Sequence, residues 1–347
     1  NPDLFWALKG GGGGTFAVVS KMTLRLRDLP SFWGGANFTV KAVSDDAYRR
    51  LLRYFVSFYR EALFNDHWGE QAHVNPDNSL VISMVFQGFD GAQAREIWKP
   101  FLDWLARSPH AYTLEGTPDI GSLSETRHWW DVTWRKEHHQ DVFVADPRRG
   151  ADSDNVWWTG DAGQVGWFIY GFESLWLPAS LLESDSRERL ANALFQSSRS
   201  AGVELHFNKG LAGAPADAIA EARNTAMNPA VLTAFALAIS GDGQGPAYTG
   251  IPTHEPDLAA GRKGANRIHR CMSELRAIVP TIGSYVSESN FFESGWQQSY
   301  WGSNYSRLAA IKERYDPSGL FFVHNGVGSE AWSADGFTRL STVVDHH

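Results

Sequence analysis

The sequence predicts an α+β chain organised on an antiparallel sheet. Segments with the two-residue alternation of strands are interspersed with segments of helical spacing, and no regular βαβ repeat signals a parallel sheet. The 347 residues are 43% hydrophobic and 20% charged, which suits a globular chain with a sizeable core, in one large domain or two modest ones. Beyond the glycine run Gly10–Gly14, no low-complexity tract or internal repeat interrupts this pattern.

Each element has its own signal. Thr15–Val19, followed by Met22, Leu24 and Leu26 alternating with Thr23, Arg25 and Arg27, predicts a strand that Pro30 closes, and a first domain boundary is placed there. From Asp45 to about Leu63, Tyr48, Leu51, Leu52, Phe55, Tyr59 and Leu63 recur at helical spacing behind a Ser44 or Asp45 cap. Asn75-Pro76-Asp77-Asn78 is a turn, and Leu80, Ile82, Met84 and Phe86 then alternate as a strand. A helix is expected from Ala92 to Leu105, bent or split at Pro100. The stretch Gly121–Asp161 is polar, Trp-rich and without clear period, and reads as a long excursion over a pocket or interface. Strands are predicted at Val165–Leu177, Val203–Phe207 and Val231–Ile239, and helices at Leu181–Ser198 and Asp257–Ile278. A helix from Ser303 to Tyr315, capped by Ser303 or Asn304, stops at Asp316-Pro317-Ser318-Gly319 and leads to a last strand, Leu320–His324.

Composition excludes several function classes. Lys plus Arg is 31 against 39 Asp plus Glu, a formal charge of −8, which argues against a nucleic-acid partner because a polyanion needs clustered positive charge. No apolar run approaches the roughly 18 residues of a membrane-spanning helix, so no membrane partner is expected. A single cysteine, Cys271, leaves no intrachain disulfide and no thiolate cluster. His128, His138 and His139 stand beside Glu137 without HExxH spacing. Asp152 and Asp154 open a calcium-like loop whose twelfth residue is Gly163 rather than Glu, so no metal site is expected. G-x-S-x-G is absent. Gly10–Gly14 lets the backbone offer N–H groups to a ligand, but no Lys-Ser/Thr follows as in a P-loop, and a strand rather than a Rossmann helix is predicted next. Two strand ends carry chemistry: His206, Asn208 and Lys209 in His206–Gly213, and Glu288 in Tyr285–Asn290.

The two ends of the chain resolve this reading. Asp3-Leu4-Phe5-Trp6-Ala7-Leu8-Lys9, the five glycines and Thr15-Phe16-Ala17-Val18-Val19 resemble the DLFWALRGGGGxFGIVT stretch of FAD-linked oxidases of the vanillyl-alcohol oxidase superfamily. Tyr300-Trp301-Gly302-Ser303-Asn304-Tyr305-Ser306-Arg307-Leu308, with Ile311-Lys312 and Tyr315-Asp316-Pro317, resembles the C-terminal signature of its berberine-bridge-enzyme-like branch. His206–Gly213, Met227-Asn228-Pro229 and Val327–Trp332 are similar to fungal members, so the resemblance runs over essentially the whole chain.

The resemblance implies part of a two-domain FAD-linked oxidase fold. Residues 1–29 and 290–347 would form the second FAD-binding subdomain, around an inserted antiparallel-sheet substrate domain at 30–289. It implies FAD as cofactor, a small-molecule substrate, and as partner a missing N-terminal FAD subdomain that supplies the covalent tether. The implied activity is oxidation of an alcohol, sugar or secondary-metabolite substrate by hydride transfer to flavin N5, with oxygen as acceptor. Oxidative cyclisation and redox-inactive carbohydrate binding are the alternatives. Tyr300 would face the reaction, with Lys209 and His206 as cationic neighbours and Glu288 as the other base. Gly11, Gly12, Gly13, Gly14, Thr15, Phe16, Val18, Asn304, His324 and Asn325 would bind the cofactor, and His206, Asn208 and Lys209 the substrate. Three departures stand near the flavin: Ala17 for Gly, Ser287 for Asn and Asn290 for Asp. The sequon Asn37-Phe38-Thr39 adds the expectation of a secreted glycoprotein, whereas Asn304-Tyr305-Ser306 lies inside the signature and is expected to stay bare.

Overall fold

The structure, a computed structural model, describes residues 1–340 except Ser124, Gln140, Asp141, Ala162, Gly163, Pro280 and Ile282. Among the described residues the strands are β1 (Trp33–Ala42), β2 (Trp68–Val74), β3 (Ser79–Gln87), β4 (Tyr112–Ser122), β5 (Phe143–Ala145), β6 (Val156–Trp158), β7 (Trp167–Pro178), β8 (Val203–His206) and β9 (Ala234–Pro246). The helices are α1 (Pro2–Leu8), α2 (Asp45–Phe58), α3 (Gly91–Ala106), α4 (Val132–His138), α5 (Arg187–Ser198), α6 (Ala216–Arg223), α7 (Leu258–Arg276), α8 (Trp296–Trp301) and α9 (Tyr305–Tyr315).

Seven strands form one antiparallel sheet in the order β4-β1-β3-β2-β8-β9-β7, and β5 and β6 form a separate hairpin. Alternation decides the faces. Ala36, Phe38, Val40 and Ala42 of β1 and Leu80, Ile82, Met84 and Phe86 of β3 turn to one side, where Leu51, Leu52 and Phe55 of α2, Trp98 and Phe101 of α3, Leu194 of α5 and Cys271 of α7 cover them. Asp90 caps α3 with a capping box to Gln93, and Pro100 sits inside that helix without ending it. On the opposite face, Trp176, Val231, Leu237 and Ile239 make a small second core.

Both ends of the chain meet in a third core. Trp6, Ala7 and Phe16 pack with Tyr300, Trp301, Leu308, Ile311 and Val327, and Ala226 joins them from the middle of the chain. Trp301 Nε1 donates to Gly10 O at 2.9 Å. Buried Lys312 donates to Thr15 O at 2.6 Å, Asp316 Oδ2 at 2.5 Å and Phe321 O at 2.8 Å.

Several expectations need correction. No strand forms across Thr15–Arg27. The segment has no regular secondary structure, no described strand pairs with it, and Val18, Met22, Leu24 and Leu26 are 68–91% exposed. Its alternation is a strand pattern waiting for a neighbour, and Arg25 and Arg27 merely reach Glu221 on the surface. Leu320–His324 is not a strand either. The Asp316 carboxylate takes the N–H groups of Leu320 and Phe321, so side chains replace the ladder. The helix expected from Ser303 begins at Tyr305, because Gly302–Asn304 forms a 3₁₀ turn. The helix expected to Leu63 ends at Phe58 and continues as a π-turn, Tyr59–Leu63. β1, β2 and β4 had no clear signal. Gly34, Gly35 and Asn37 blur β1, and β4 is an edge strand in which Gly116 and Pro118 break the pattern, next to a register shift opposite Asn37 and Thr39.

Candidate functional site

The loop Ser287–Phe291 organises the site. Trp176 N donates to Gly283 O at 2.9 Å, and Tyr285 N donates to Ser174 Oγ at 3.1 Å, which seats this segment beside β7. Glu288 N then closes back on Tyr285 O at 2.9 Å, turning the loop toward the core shared by the chain ends.

Four predicted site residues converge on this loop, which itself carries a fifth, Glu288. Lys209 Nζ lies 2.6 and 2.5 Å from the two Glu288 oxygens, a charge-assisted pair that fixes the carboxylate. The Tyr300 hydroxyl donates to Asn290 O at 2.8 Å. His324 Nε2 lies 2.8 Å from Phe291 O, Asn325 Nδ2 donates to the same oxygen at 3.0 Å, and the His324 ring stacks on Phe291 at 4.0 Å. Asn325 holds φ at 55°, an uncommon conformation for a non-glycine residue, at the corner that aims its amide. Burial is the main influence on the Tyr300 phenol and pushes its pKa up, so the residue serves as a hydrogen-bond donor.

Two cavities share this loop as a wall. The smaller, about 370 Å³, is lined by Gly12, Gly13, Thr15, Tyr300, His324 and Asn325 together with Ser287, Ser289, Asn290 and Phe291. A side-chain carbon added at Gly13 would meet nothing within 4 Å, so the backbone there faces open space. Gly11 has a different reason to be glycine: an added carbon would stand 2.4 Å from Ala7 O, where the end of α1 folds over. The larger cavity, about 1000 Å³, lies between Phe168–Glu173 of β7, α7 and residues 287–295, and Glu288 lines it.

Sequence reasoning missed the polar wall of this larger cavity. Glu173, 3% exposed, pairs with Arg276 and lies 3.3 Å from His269 Nδ1, and Asn290 Nδ2 donates to it at 3.3 Å. Arg276 Nη1 and Ser299 Oγ are buried with no hydrogen-bond partner among the described residues. Burial raises the Glu293 pKa beside them. A charged residue inside the apolar run of β7 was the available signal for Glu173.

Other predicted residues are placed elsewhere. Lys209 and His206 do not flank Tyr300. Lys209 holds Glu288, and His206 Nε2 lies 3.3 Å from Glu204 Oε2, on the sheet face opposite the helices, where His73 Nδ1 also approaches Glu204 at 3.7 Å. The hydrogen bond to His206 is the main cause that holds the Glu204 pKa low, and burial is the main cause that lowers that of His73. Asn208 donates to Glu70 Oε1 at 2.6 Å. Asn304 donates to Met227 O at 2.7 Å, which ties the signature helix to the middle of the chain rather than to a cavity. Phe16 is in the core, Val18 is on the exposed arm, and Gly14 borders Val323.

The segment that carries this loop and the helix after it, residues 284–328, matches the family described as Berberine and berberine like. That match and the whole-chain likenesses that follow support a VAO-type FAD-linked oxidoreductase of the berberine-like kind. An uncharacterized FAD-linked oxidoreductase of Arthroderma benhamiae is 29% identical over 350 residues, covering 98% of this chain and 53% of that protein. A VAO-type flavoprotein oxidase of Thermothelomyces thermophilus is 28% identical over 346 residues, covering 98% and 52%. The chain thus spans about half the length of the curated relatives it matches. The fold is that of a VAO-type flavoprotein from Myceliophthora thermophila, with a TM-score of 0.67 at 24% identity over 96% of this chain and 54% of that one. It is also that of a carbohydrate oxidase from Microdochium nivale, with a TM-score of 0.61 at 17% identity over 95% and 62%. Among the described residues no helix is long and apolar enough to cross a membrane.

Proposed function

We propose that this berberine-like chain is the substrate-binding and C-terminal flavin-binding portion of an FAD-dependent oxidase of a small hydroxylated or amine substrate. The observation that carries the reading is the Ser287–Phe291 loop. It holds Glu288, Tyr300, His324 and Asn325 together and separates a glycine-lined cavity from a larger one. The smaller cavity suits part of a flavin. Its Gly12–Gly13 backbone is open, the imidazole and amide of His324 and Asn325 border it, and about 370 Å³ is too little for a whole dinucleotide. Residues 1–29 and 290–340 form the flavin side, and the unpaired arm at 17–29 is the edge on which an N-terminal FAD subdomain completes the site.

The flavin supplies a two-electron acceptor for the substrate C–H bond. The chain's own residues bind the substrate and take its proton. The larger cavity, walled by Phe168, Tyr170, Phe172, Phe291 and Phe292 with polar groups at Glu173 and Arg276, takes the substrate. Glu288, fixed by Lys209, is the proton acceptor in reach of that cavity, and Tyr300 holds the loop through Asn290 O. Structural neighbours named carbohydrate, chitooligosaccharide and xylooligosaccharide oxidases support a sugar as the substrate. The test is an absorption spectrum of the full-length protein with an oxygen and peroxide assay on oligosaccharides. Flavin bands with substrate-dependent peroxide support the reading, and a colourless protein sinks it.

A further inference from the structure

We propose that the cleft at the Trp33 end of the sheet is a second binding site, one that seats a neutral sugar ring. The cleft encloses about 530 Å³ and shares no lining residue with either cavity beside the Ser287–Phe291 loop. The cleft is defined by its own walls, and its ligand does not depend on the flavin.

The walls combine flat apolar surface with fixed hydrogen-bonding groups. Trp33, Trp68 and Trp129 line the cleft, and the Trp33 and Trp129 rings stand 5.9 Å apart at 53°, two faces of an angled trough. Such faces carry a negative quadrupole and stack on the weakly positive C–H face of a pyranose. Arg135, itself buried, lies over Trp129 at 4.8 Å and holds that ring in place from outside the cleft lining.

Glu70 supplies the polar anchor. It sits inside β2 with φ at 62°, a strained conformation for a side-chain-bearing residue that persists where the surroundings enforce it. They do so here: Phe207 N donates to Glu70 O at 2.9 Å, and Asn208 Nδ2 donates to Glu70 Oε1 at 2.6 Å. Gly69 makes room, since a carbon added there would stand 3.0 Å from Asn208 Cβ. Among the described residues Glu70 Oε2 takes no protein donor, so it is left to accept from a ligand.

Charge and hydrogen-bond type narrow the ligand. Asp66 and Glu70 line the cleft and no Lys or Arg does, which disfavours phosphates and carboxylates. The lining amides of Asn65, Gln87 and Asn208 mix donors and acceptors among the acids. A hydroxyl both donates and accepts and satisfies such a mixture, whereas an ammonium only donates.

The test is a tryptophan-fluorescence titration of the full-length protein with cellotetraose and with maltotetraose, backed by saturation-transfer NMR. At least one sugar is expected to bind saturably, and Trp129→Ala or Glu70→Gln to weaken it about tenfold, as loss of a stacking or anchoring contact does. Flavin content and turnover should be unchanged in both variants. Glu70→Gln keeps the shape of the side chain and carries the test if Trp129→Ala fails to fold. Glu288→Gln should leave this binding intact. The proposal is overturned if neither sugar binds, if binding ignores both variants, or if protonated tyramine occupies the cleft with the same Trp129 dependence while sugars do not.

Discussion

Replacing Lys312 with Met tests how the two ends of the chain are joined. The ammonium has three N–H groups, and all three are used, on Thr15 O, Asp316 Oδ2 and Phe321 O. Both charged side chains are less than a tenth exposed, so water does not replace the lost partner. Met keeps much of the volume but leaves the Asp316 carboxylate buried without its cation and two carbonyls without a donor. Breaking a buried pair in this way costs about 3–5 kcal/mol. With roughly 2.1 cal/mol/K of unfolding entropy per residue, a chain of this length loses about 0.7 kcal/mol per degree, so the melting temperature should fall by ~4–7 °C. Scanning calorimetry measures it. The acid limb gives a second readout. Burial alone would raise the Asp316 carboxyl, but hydrogen bonds from Lys312 and from the Phe321 and Leu320 N–H groups outweigh it and hold its pKa below the usual range. A depressed carboxyl contributes stability that is present above its unfolded pKa and lost as pH falls through the folded one. Lys312→Met should therefore lose stability mainly at neutral pH and little at strongly acid pH. A melting temperature within about 1 °C of the parent at neutral pH would show that the Lys312 cluster does not join the two ends.

The remaining predictions concern chemistry and exposure. In the full-length enzyme Glu288→Gln should slow substrate-driven flavin reduction by roughly 10²–10⁴-fold, with Tyr300→Phe costing less because its ring and packing remain; stopped-flow absorbance reads both, and the reverse order would move the proton acceptor to Tyr300. Cys271 is fully buried and burial pushes its thiol up to about 11, so iodoacetamide at neutral pH should label it only after denaturation. Asn37 lies exposed on β1, and mass spectrometry of protein from its own host should find a glycan there; a bare Asn37 removes the support for secretion.

How much was legible depends on what each signal needed. Helices α2, α3, α7 and α9 were readable because an amphipathic stripe is a local property, as Leu51, Leu52 and Phe55 show. Strands β3, β7 and β8 were readable where one face is continuously apolar. The alternation from Met22 to Leu26 was equally clear and formed no strand, because a strand also needs a neighbour, which periodicity cannot supply. The motif residues Tyr300, His324 and Asn325 do line one cavity with Gly12 and Gly13. Their common anchor, the carbonyls of Asn290 and Phe291, carries no side-chain signature and was invisible in the sequence. Lys209 and Glu288, 79 positions apart, were each suspected but not paired, because only the seating of residues 283–285 against β7 brings them together.

A flavin lying against the Gly12–Gly13 backbone beside Tyr300 and His324 would be displaced by a side chain at Gly13. Its backbone is not in the left-handed region and a Cβ added there meets no protein atom within 4 Å, so Gly13→Leu should fold normally while its side chain extends into the cavity. Flavin content of the purified full-length protein, read from its visible absorbance against total protein, is the measurement. Loss of most flavin with an unchanged far-ultraviolet spectrum is the expected result. Full flavin content, with visible bands and reduction rate matching the parent, would contradict it.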